Sequence, residues 1–487
     1  MDNDPKSLTL KGRLKFLLRD SIIYGGAGAV SKLFALFTFP IMARYFSVED
    51  YGIIDAFTVL SSLLVTMLVF GQDSAVARYF YEYEDTLERK KVVSQSLSIQ
   101  FLIILISLPI LLFFANPISK YYTNEEGLQY LTKLVIWQVP FGLIINFAGN
   151  VLKWTFKRFH FLFLQLGSVF FYVVTVIIAI LFFKVGVNEV FLLFLVSRII
   201  FGIIGLFFII GWISIRFGTS HYKALIKYGT PYGIICIIGA LIPALDRLFI
   251  NKYLTPFDLG LYAVAFKIAF LIQLPINAFQ MAWGPFYLSL FKEKDASQTY
   301  NSVLLAFSVL VTTMGLTLIL FTRLIIDVLA GSKYTDAGSV VFPLVMGMVI
   351  TSIGWILGIG IDLSKKSHVK LVSAIIRLVT TAVVILVLIK PLGLMGVAFG
   401  FLVGQIINTI IETWFSYNVY PLRFRLWPPV LTIVAACLFG LGSLIFFTEK
   451  VLIQVIINIT ILSLFIFFLW YVPLKRRNLI TIIRSML

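Results

Sequence analysis

This chain is short of charge, shorter still of acid, and almost without cysteine and histidine. Only 13% of its 487 residues are charged, against 60% that are hydrophobic, and acids number 23 against 40 bases. A water-soluble protein of that length has no means of hiding so much apolar surface. The two cysteines, Cys236 and Cys437, both fall inside hydrophobic runs, which suggests neither a disulfide framework nor a zinc site. The three histidines, His160, His221 and His368, lie far apart and read as plain residues of short polar loops. No metal site and no cofactor are expected. Long polar loops are missing as well, so a catalytic head domain has no room. The polar start MDNDPKSLTLKGRLKFLLRD lacks a small-residue cleavage site, and the first hydrophobic run is therefore expected to be kept as a span.

What the chain has in plenty is apolar sequence in lengths of about 20 residues, the reach of a bilayer-crossing helix. The expected fold class is an all-α integral membrane protein with about fourteen transmembrane helices. The first six fall near 21–45, 51–70, 94–115, 129–152, 160–184 and 189–213. The next six fall near 227–250, 258–281, 302–325, 338–362, 368–390 and 394–418, and a last pair near 428–447 and 449–473. With the N-terminus inside, the cytoplasmic segments hold 26 of the 40 Lys and Arg and the opposite side nine. That asymmetry follows the positive-inside rule, and an even span count returns the C-terminus to the cytoplasm. Topology thereby accounts for most of the net charge of +17, with no nucleic-acid partner invoked.

The chain also carries an internal repeat. ARYFSVEDYGIIDAF (43–57) aligns with NKYLTPFDLGLYAVA (251–265) at an ungapped shift of 208, pairing Tyr45 with Tyr253, Asp50 with Asp258 and Gly52 with Gly260. The same shift pairs Ser47 with Thr255, Tyr24 with Tyr232, Gln72 with Gln280 and Tyr79 with Tyr287. Six spans separate the copies, so both start on the same side and the repeats are parallel, with a substrate site expected between the halves. The predicted organisation is two pseudo-symmetric six-helix lobes plus an extra C-terminal helix pair. The N-lobe takes 1–223, the C-lobe 224–420, and 421–487 holds the extra pair and a basic cytoplasmic tail. Gly25, Gly26, Gly28 and Pro40 in span 1 correspond to Gly229, Pro231, Gly233, Gly239 and Pro243 in span 7, which points to helices that bend.

The runs SKLFALFTFPIMARYFSVEDYGIIDAF, GQDSAVARYF, LDRLFINKYLTPFDLGLYAVAFKI, LAGSKYTDAGSVVFPLVMG, GIDLSKKSHVK and KPLGLMGVAFGFLVGQ resemble a known family. They are similar to the polysaccharide-biosynthesis, O-antigen-flippase type of transporter over about residues 15 to 420. That family belongs to the multidrug/oligosaccharidyl-lipid/polysaccharide exporter superfamily, whose fold is two six-helix lobes around a central cavity. The resemblance implies flipping of an undecaprenyl-pyrophosphate-linked oligosaccharide to the outer leaflet, for lipopolysaccharide or another surface glycan. It also implies a multi-pass protein of a bacterial or archaeal cytoplasmic membrane, with membrane lipids around it and a glycan polymerase and glycosyltransferases as working partners.

Five bases fall in mid-span: Lys32, Arg198, Arg247, Lys267 and Arg377. An unpaired cation at the bilayer centre costs about 2.5–3.5 kcal/mol, so each should face protein or a wet cavity. Acids within spans are fewer, namely Asp55, Asp246 and, nearer the cytoplasmic end, Glu412. Lys32, Arg198, Lys267 and Arg377 are therefore the candidate cavity cations for a pyrophosphate. In relatives that flip lipid-linked sugars, basic residues of spans 1 and 8 line the cavity, which the resemblance carries to Lys32 and Lys267. Asp246 and Arg247 lie a few residues before the outer end of span 7, where side chains can snorkel. With Asp55, at similar depth, they form a candidate outer gate or rim. Tyr24, Tyr232 and Trp283 are candidate sugar contacts, although most aromatics in such a chain serve packing.

Three other readings compete. A cation-coupled multidrug antiporter of the same superfamily needs a buried carboxylate to trade a proton or sodium ion, and this chain's mid-span charge is mostly basic. A membrane-embedded glycosyltransferase or polymerase needs an outer loop with an acidic cluster. A scaffold explains neither the repeat nor the mid-span cations.

Overall fold

The computed structural model describes residues 30–471 apart from 32, 35, 124–126, 215–217, 291–292, 294–295, 365, 421, 446–447 and 449. Among the described residues it is helical from end to end, with no strand. Helix α1 is described over 30–45, followed by α2 (Val48–Val69), α3 (Gln72–Phe80), α4 (Thr86–Phe113) and α5 (Ala115–Thr123). Then come α6 (Gln129–Trp154), α7 (Arg158–Phe182), α8 (Val187–Ile209), α9 (Tyr222–Tyr253) and α10 (Pro256–Ala269). The rest are α11 (Gln273–Leu290), α12 (Ala296–Leu320), α13 (Thr322–Leu329), α14 (Gly338–Leu357) and α15 (Ile359–Leu363). They are followed by α16 (Ser367–Leu392), α17 (Leu394–Val419), α18 (Trp427–Ile445) and α19 (Val451–Leu469).

Twelve helical segments among the described residues are long and apolar enough to cross a membrane. They match the expected spans 2 to 12 and 14 one for one. Span 13 is α18, whose apolar stretch is the shorter Trp427–Ser443, and span 1 lies partly outside the described residues. The all-α membrane architecture expected from the sequence is the one the chain adopts.

Local chemistry explains where the helices begin. Ser47 caps α2 by accepting from the backbone N–H of Asp50 at 3.0 Å. At the same place in the second copy of the repeat, the Thr255 hydroxyl accepts from the N–H of Asp258 at 3.2 Å, while the Asp258 carboxylate accepts from the N–H of Thr255 at 3.1 Å. Both copies thus use a hydroxyl residue followed three positions later by an acid, which satisfies donors that a helix start leaves open.

The chain divides into two compact units, Met1–Gly260 and Leu261–Leu487. In the first, α9 packs along α2 and α3, so the first helix of the second repeat sits with the first unit. The close approach there has a steric reason. The chain turns between α2 and α3 through Phe70 and Gly71, both with positive φ (45° and 70°). A Cβ on Gly71 would strike the Gly229 carbonyl, and one on Gly233 would lie 2.7 Å from the Phe70 carbonyl carbon. Gly229 and Gly233, which the sequence suggests as points of bending, serve here as the flat patch on which a tight corner rests. Helix α9 runs unbroken through Pro231 and Pro243.

In the second unit, the segment Ser332–Leu363 is the central one, with 78% of its apolar window buried, whereas Val451–Leu469 has 11%. Helices α16 and α17 form its tightest pair, and Gly396, Gly400 and Gly404 supply the reason. A Cβ on Gly400 would sit 3.2 Å from the Ile385 nitrogen, and one on Gly396 would strike the Leu388 carbonyl. Glycines four residues apart let backbones meet where lipid gives no hydrophobic drive to associate. Helix α19 packs Phe465 and Leu469 into an apolar cluster with Leu316 and Leu320 of α12 and adds a polar contact. The Thr448 N–H donates to Gln454 Oε1 (2.8 Å), Gln454 Nε2 donates to Asn458 Oδ1 (2.9 Å), and Asn458 Nδ2 donates to the Leu320 carbonyl (2.6 Å).

Candidate functional site

Of the four candidate cavity cations, Lys32 lies outside the described residues. Arg198 belongs to the first unit, and Lys267 and Arg377 belong to the second. Arg198 projects from α8, with its guanidinium carbon 4.4 Å from the centre of the Phe194 ring. Its Nη1 is buried and has no hydrogen-bond partner, and no carboxylate pairs with it among the described residues. Gly142 on α6 makes room for it, since a Cβ there would collide with Nη1. A ring face attracts a cation but leaves the N–H donors unused. Nη1 is thus left as a buried donor without an acceptor.

Arg377 is half-buried on α16, one turn from Ser373 and Thr381, which are buried. Ser373 donates to Glu412 of α17 at 3.0 Å, and the Arg377 Nε is a buried donor with no hydrogen-bond partner. Lys267 is half-buried in the last turn of α10.

The three residues of the expected gate or rim come together. Arg247 donates from Nε (3.0 Å) and Nη2 (2.8 Å) to Asp55 Oδ2, and its Nη1 lies 3.9 Å from Asp246 Oδ2 and 3.3 Å from the Pro243 carbonyl. All three side chains are at most 3% exposed. The snorkelling expected from position along span 7 is not what these side chains do, because α2 and α9 close over them. Next to the pair, Tyr122 donates to the Ala56 carbonyl (3.1 Å) and Asn251 donates to the Tyr122 carbonyl (2.9 Å).

Two features were not read from the sequence. His221 is a buried bridge rather than a plain loop residue: Nε2 lies 3.1 Å from Glu88, Nδ1 3.4 Å from the Tyr83 hydroxyl, and its N–H donates to Gln95 (2.8 Å). Burial pushes the Tyr83 phenol above its ordinary pKa, which keeps it protonated. The second feature is a cavity of about 250 Å³ within the second unit, lined by Gln280, Trp283, Trp355, Asp362, Lys370 and Glu412 among others. Lys370 pairs there with Asp362. The repeat had flagged Gln280 as the counterpart of Gln72, but its acidic and basic neighbours come from α15 to α17, far along the chain. Trp283 is 6% exposed and packed against Phe279 and Tyr300, as a core aromatic is. Tyr232 is more open and stacks on Tyr228 at 5.3 Å.

Comparison with known proteins places this geometry. The structure is similar to that of "Lipid II flippase MurJ, inward closed conformation", with a TM-score of 0.74 at 18% identity over 92% of this chain and 99% of that one. It is also similar to an inward-facing multidrug resistance MATE family transporter of the MOP superfamily, with a TM-score of 0.61 at 15% identity over 82% and 92% of the two chains. What is shared at those identities is the fold. By sequence, the chain is 25% identical to "Lsg locus putative protein 1" of Haemophilus influenzae over 284 residues, 57% of this chain and 67% of that protein. It is likewise 25% identical to an uncharacterized membrane protein of the same organism, over 57% of this chain and 66% of that protein, which leaves about a third of each relative unmatched. The family model described as "Polysaccharide biosynthesis protein" matches residues 17–291, more than half of the length. The chain therefore belongs to the polysaccharide biosynthesis protein family, and its helical fold is similar to those of the lipid II flippase and the MATE transporter.

Proposed function

We propose that this protein carries an undecaprenyl-pyrophosphate-linked oligosaccharide from the inner to the outer leaflet of a bacterial or archaeal cytoplasmic membrane, for surface polysaccharide synthesis. The observation that carries the reading is Arg198, a cation held within a span with a buried N–H donor left open. A pyrophosphate entering a low-dielectric space loses its hydration, and fixed guanidinium donors replace it with charge-assisted hydrogen bonds. Lys32, Lys267 and Arg377 act with Arg198 as the cargo passes, and the lobes 1–223 and 224–420 rock about it in alternating access. Asp55, Asp246 and Arg247 brace the outer end. Both termini lie in the cytoplasm, in keeping with the bias of Lys and Arg to that side.

The test uses a bacterial strain whose own lipid-linked-oligosaccharide flippase is deleted, complemented with this protein. Arg198→Ala, and Lys32→Ala with Lys267→Ala, are expected to abolish surface glycan at normal protein level, while Arg198→Lys retains part of it. Full surface glycan from the Arg198→Ala and the double variants would remove the proposal.

A further inference from the structure

Helices α17 and α18 both pack along α14 and leave between them an apolar groove of about 590 Å³ within the second unit. Ile353 and Leu357 of α14, both buried, form its floor. One wall is α17 from Ile406 to Tyr417, and the other is α18 with Val430 and Val434. Almost no polar atom lines it. At 1.5 Å rise per residue, the α17 wall is about 16 Å long. That equals roughly half of a hydrocarbon core about 30 Å thick, so the groove has the length of one leaflet's chain.

A charged segment adjoins it. Residues 422–426 are non-helical and alternate in character: Leu422 is buried, Phe424 and Leu426 line the groove, and Arg423 and Arg425 are exposed. Asn301 of α12 fixes that segment, donating from Nδ2 to the Arg423 carbonyl (3.0 Å) and accepting at Oδ1 from the Arg425 N–H (2.7 Å). One side chain thus grips the backbone on both sides of Phe424 and sets the phase of the alternation. Two exposed arginines thus alternate in sequence with the residues that line one end of a largely apolar slot.

We infer that this groove holds a resident anionic glycerophospholipid, with one acyl chain along α17 and its phosphate at Arg423 and Arg425. The lipid is distinct from any transported cargo and wedges α18 onto the body of the second unit. Hydrocarbon alone would accept any lipid; the paired guanidinium groups select a net negative head.

The experiment uses the full-length protein, purified and stripped of lipid. It is titrated with phosphatidylglycerol, with phosphatidylcholine of the same chains, and with inorganic phosphate, and read by native mass spectrometry and thermal unfolding. Phosphatidylglycerol is expected to bind and to raise the unfolding temperature, phosphatidylcholine to do so weakly, and phosphate not at all. Removing each arginine should weaken phosphatidylglycerol by about fivefold, so that the Arg423→Ala, Arg425→Ala double variant no longer prefers it. These side chains are exposed, so the variant keeps its fold. Val430→Trp, which fills the groove from its exposed wall, should displace both lipids. Equal binding of the two lipids to the wild-type chain overturns the inference. So does unchanged preference in the double variant, or a full thermal shift from phosphate alone.

Discussion

Arg247 grips Asp55 across 192 residues of sequence, with Nε and Nη2 converging on the single oxygen Oδ2 at 3.0 and 2.8 Å. The two side chains are 1% and 3% exposed. A buried pair gains little over a well-packed apolar pair, but removing one partner strands the other. Asp55→Ala is therefore expected to lower unfolding stability by about 3–5 kcal/mol. Asp246 also faces this arginine from within the buried cluster, so it is replaced as well, and the triple replacement Asp55→Leu, Asp246→Leu, Arg247→Met should recover most of that. Thermal unfolding of the wild-type chain and the two variants in one detergent provides the comparison, and a triple variant no better than the single one would show the charged cluster to be worth more than its packing.

Gly142 offers a test of Arg198 that leaves the arginine in place. A methyl group at 142 would occupy the position of Nη1 and approach Val65 Cγ2 to 3.1 Å. Gly142→Ala should push the guanidinium off the Phe194 face, losing a contact of about 0.5–2 kcal/mol. Glycan export in the complemented strain is expected to fall partway towards the Arg198→Ala level at unchanged protein abundance. Export equal to wild type would separate the precise seat of Arg198 from function.

The glycine ridge of α17 makes a prediction about folding alone. Gly400→Leu would drive a side chain into Ile385 and the backbone of α16. Overpacking of this kind costs about 1–3 kcal/mol even where the core can shift, and two backbones in contact have little room to do so. The variant is expected to extract from membranes as a broad, aggregated peak in size-exclusion chromatography. Substitution of the exposed Ile410, further along the same helix, by Leu should leave a sharp one.

Much of the fold could be read from the chain because it rests on local rules. The spans come from apolar run length, and the paired helix starts at Ser47 and Thr255 come from a hydroxyl followed by an acid three residues on. What could not be read depends on which helices meet. Counting residues along span 7 puts Arg247 near an end and suggests a wet head group, yet α2 covers it, and no local pattern announces that neighbour. Gly229 and Gly233 look like loosened helix until the Phe70–Gly71 corner is seen against them. The spacing of Gly396, Gly400 and Gly404 was a usable signal for the α16–α17 pair, since it needs only the helical period. For the candidate site, Arg198 could be nominated from its charge within a span. Its open donor could not, because that depends on Gly142, on a helix distant in sequence.

The chain of three hydrogen bonds from Thr448 through Gln454 and Asn458 to Leu320 has a consequence for address rather than strength. Hydrocarbon side chains on a mostly lipid-exposed helix are nearly interchangeable, so apart from the buried Phe465 and Leu469 little in α19 fixes its register. The Asn458 amide ends that freedom, because a shift of one residue would leave it facing methyl groups and strand the Leu320 carbonyl. A helix with few buried residues is thereby given one position, specified by this polar tooth together with the buried Phe465 and Leu469.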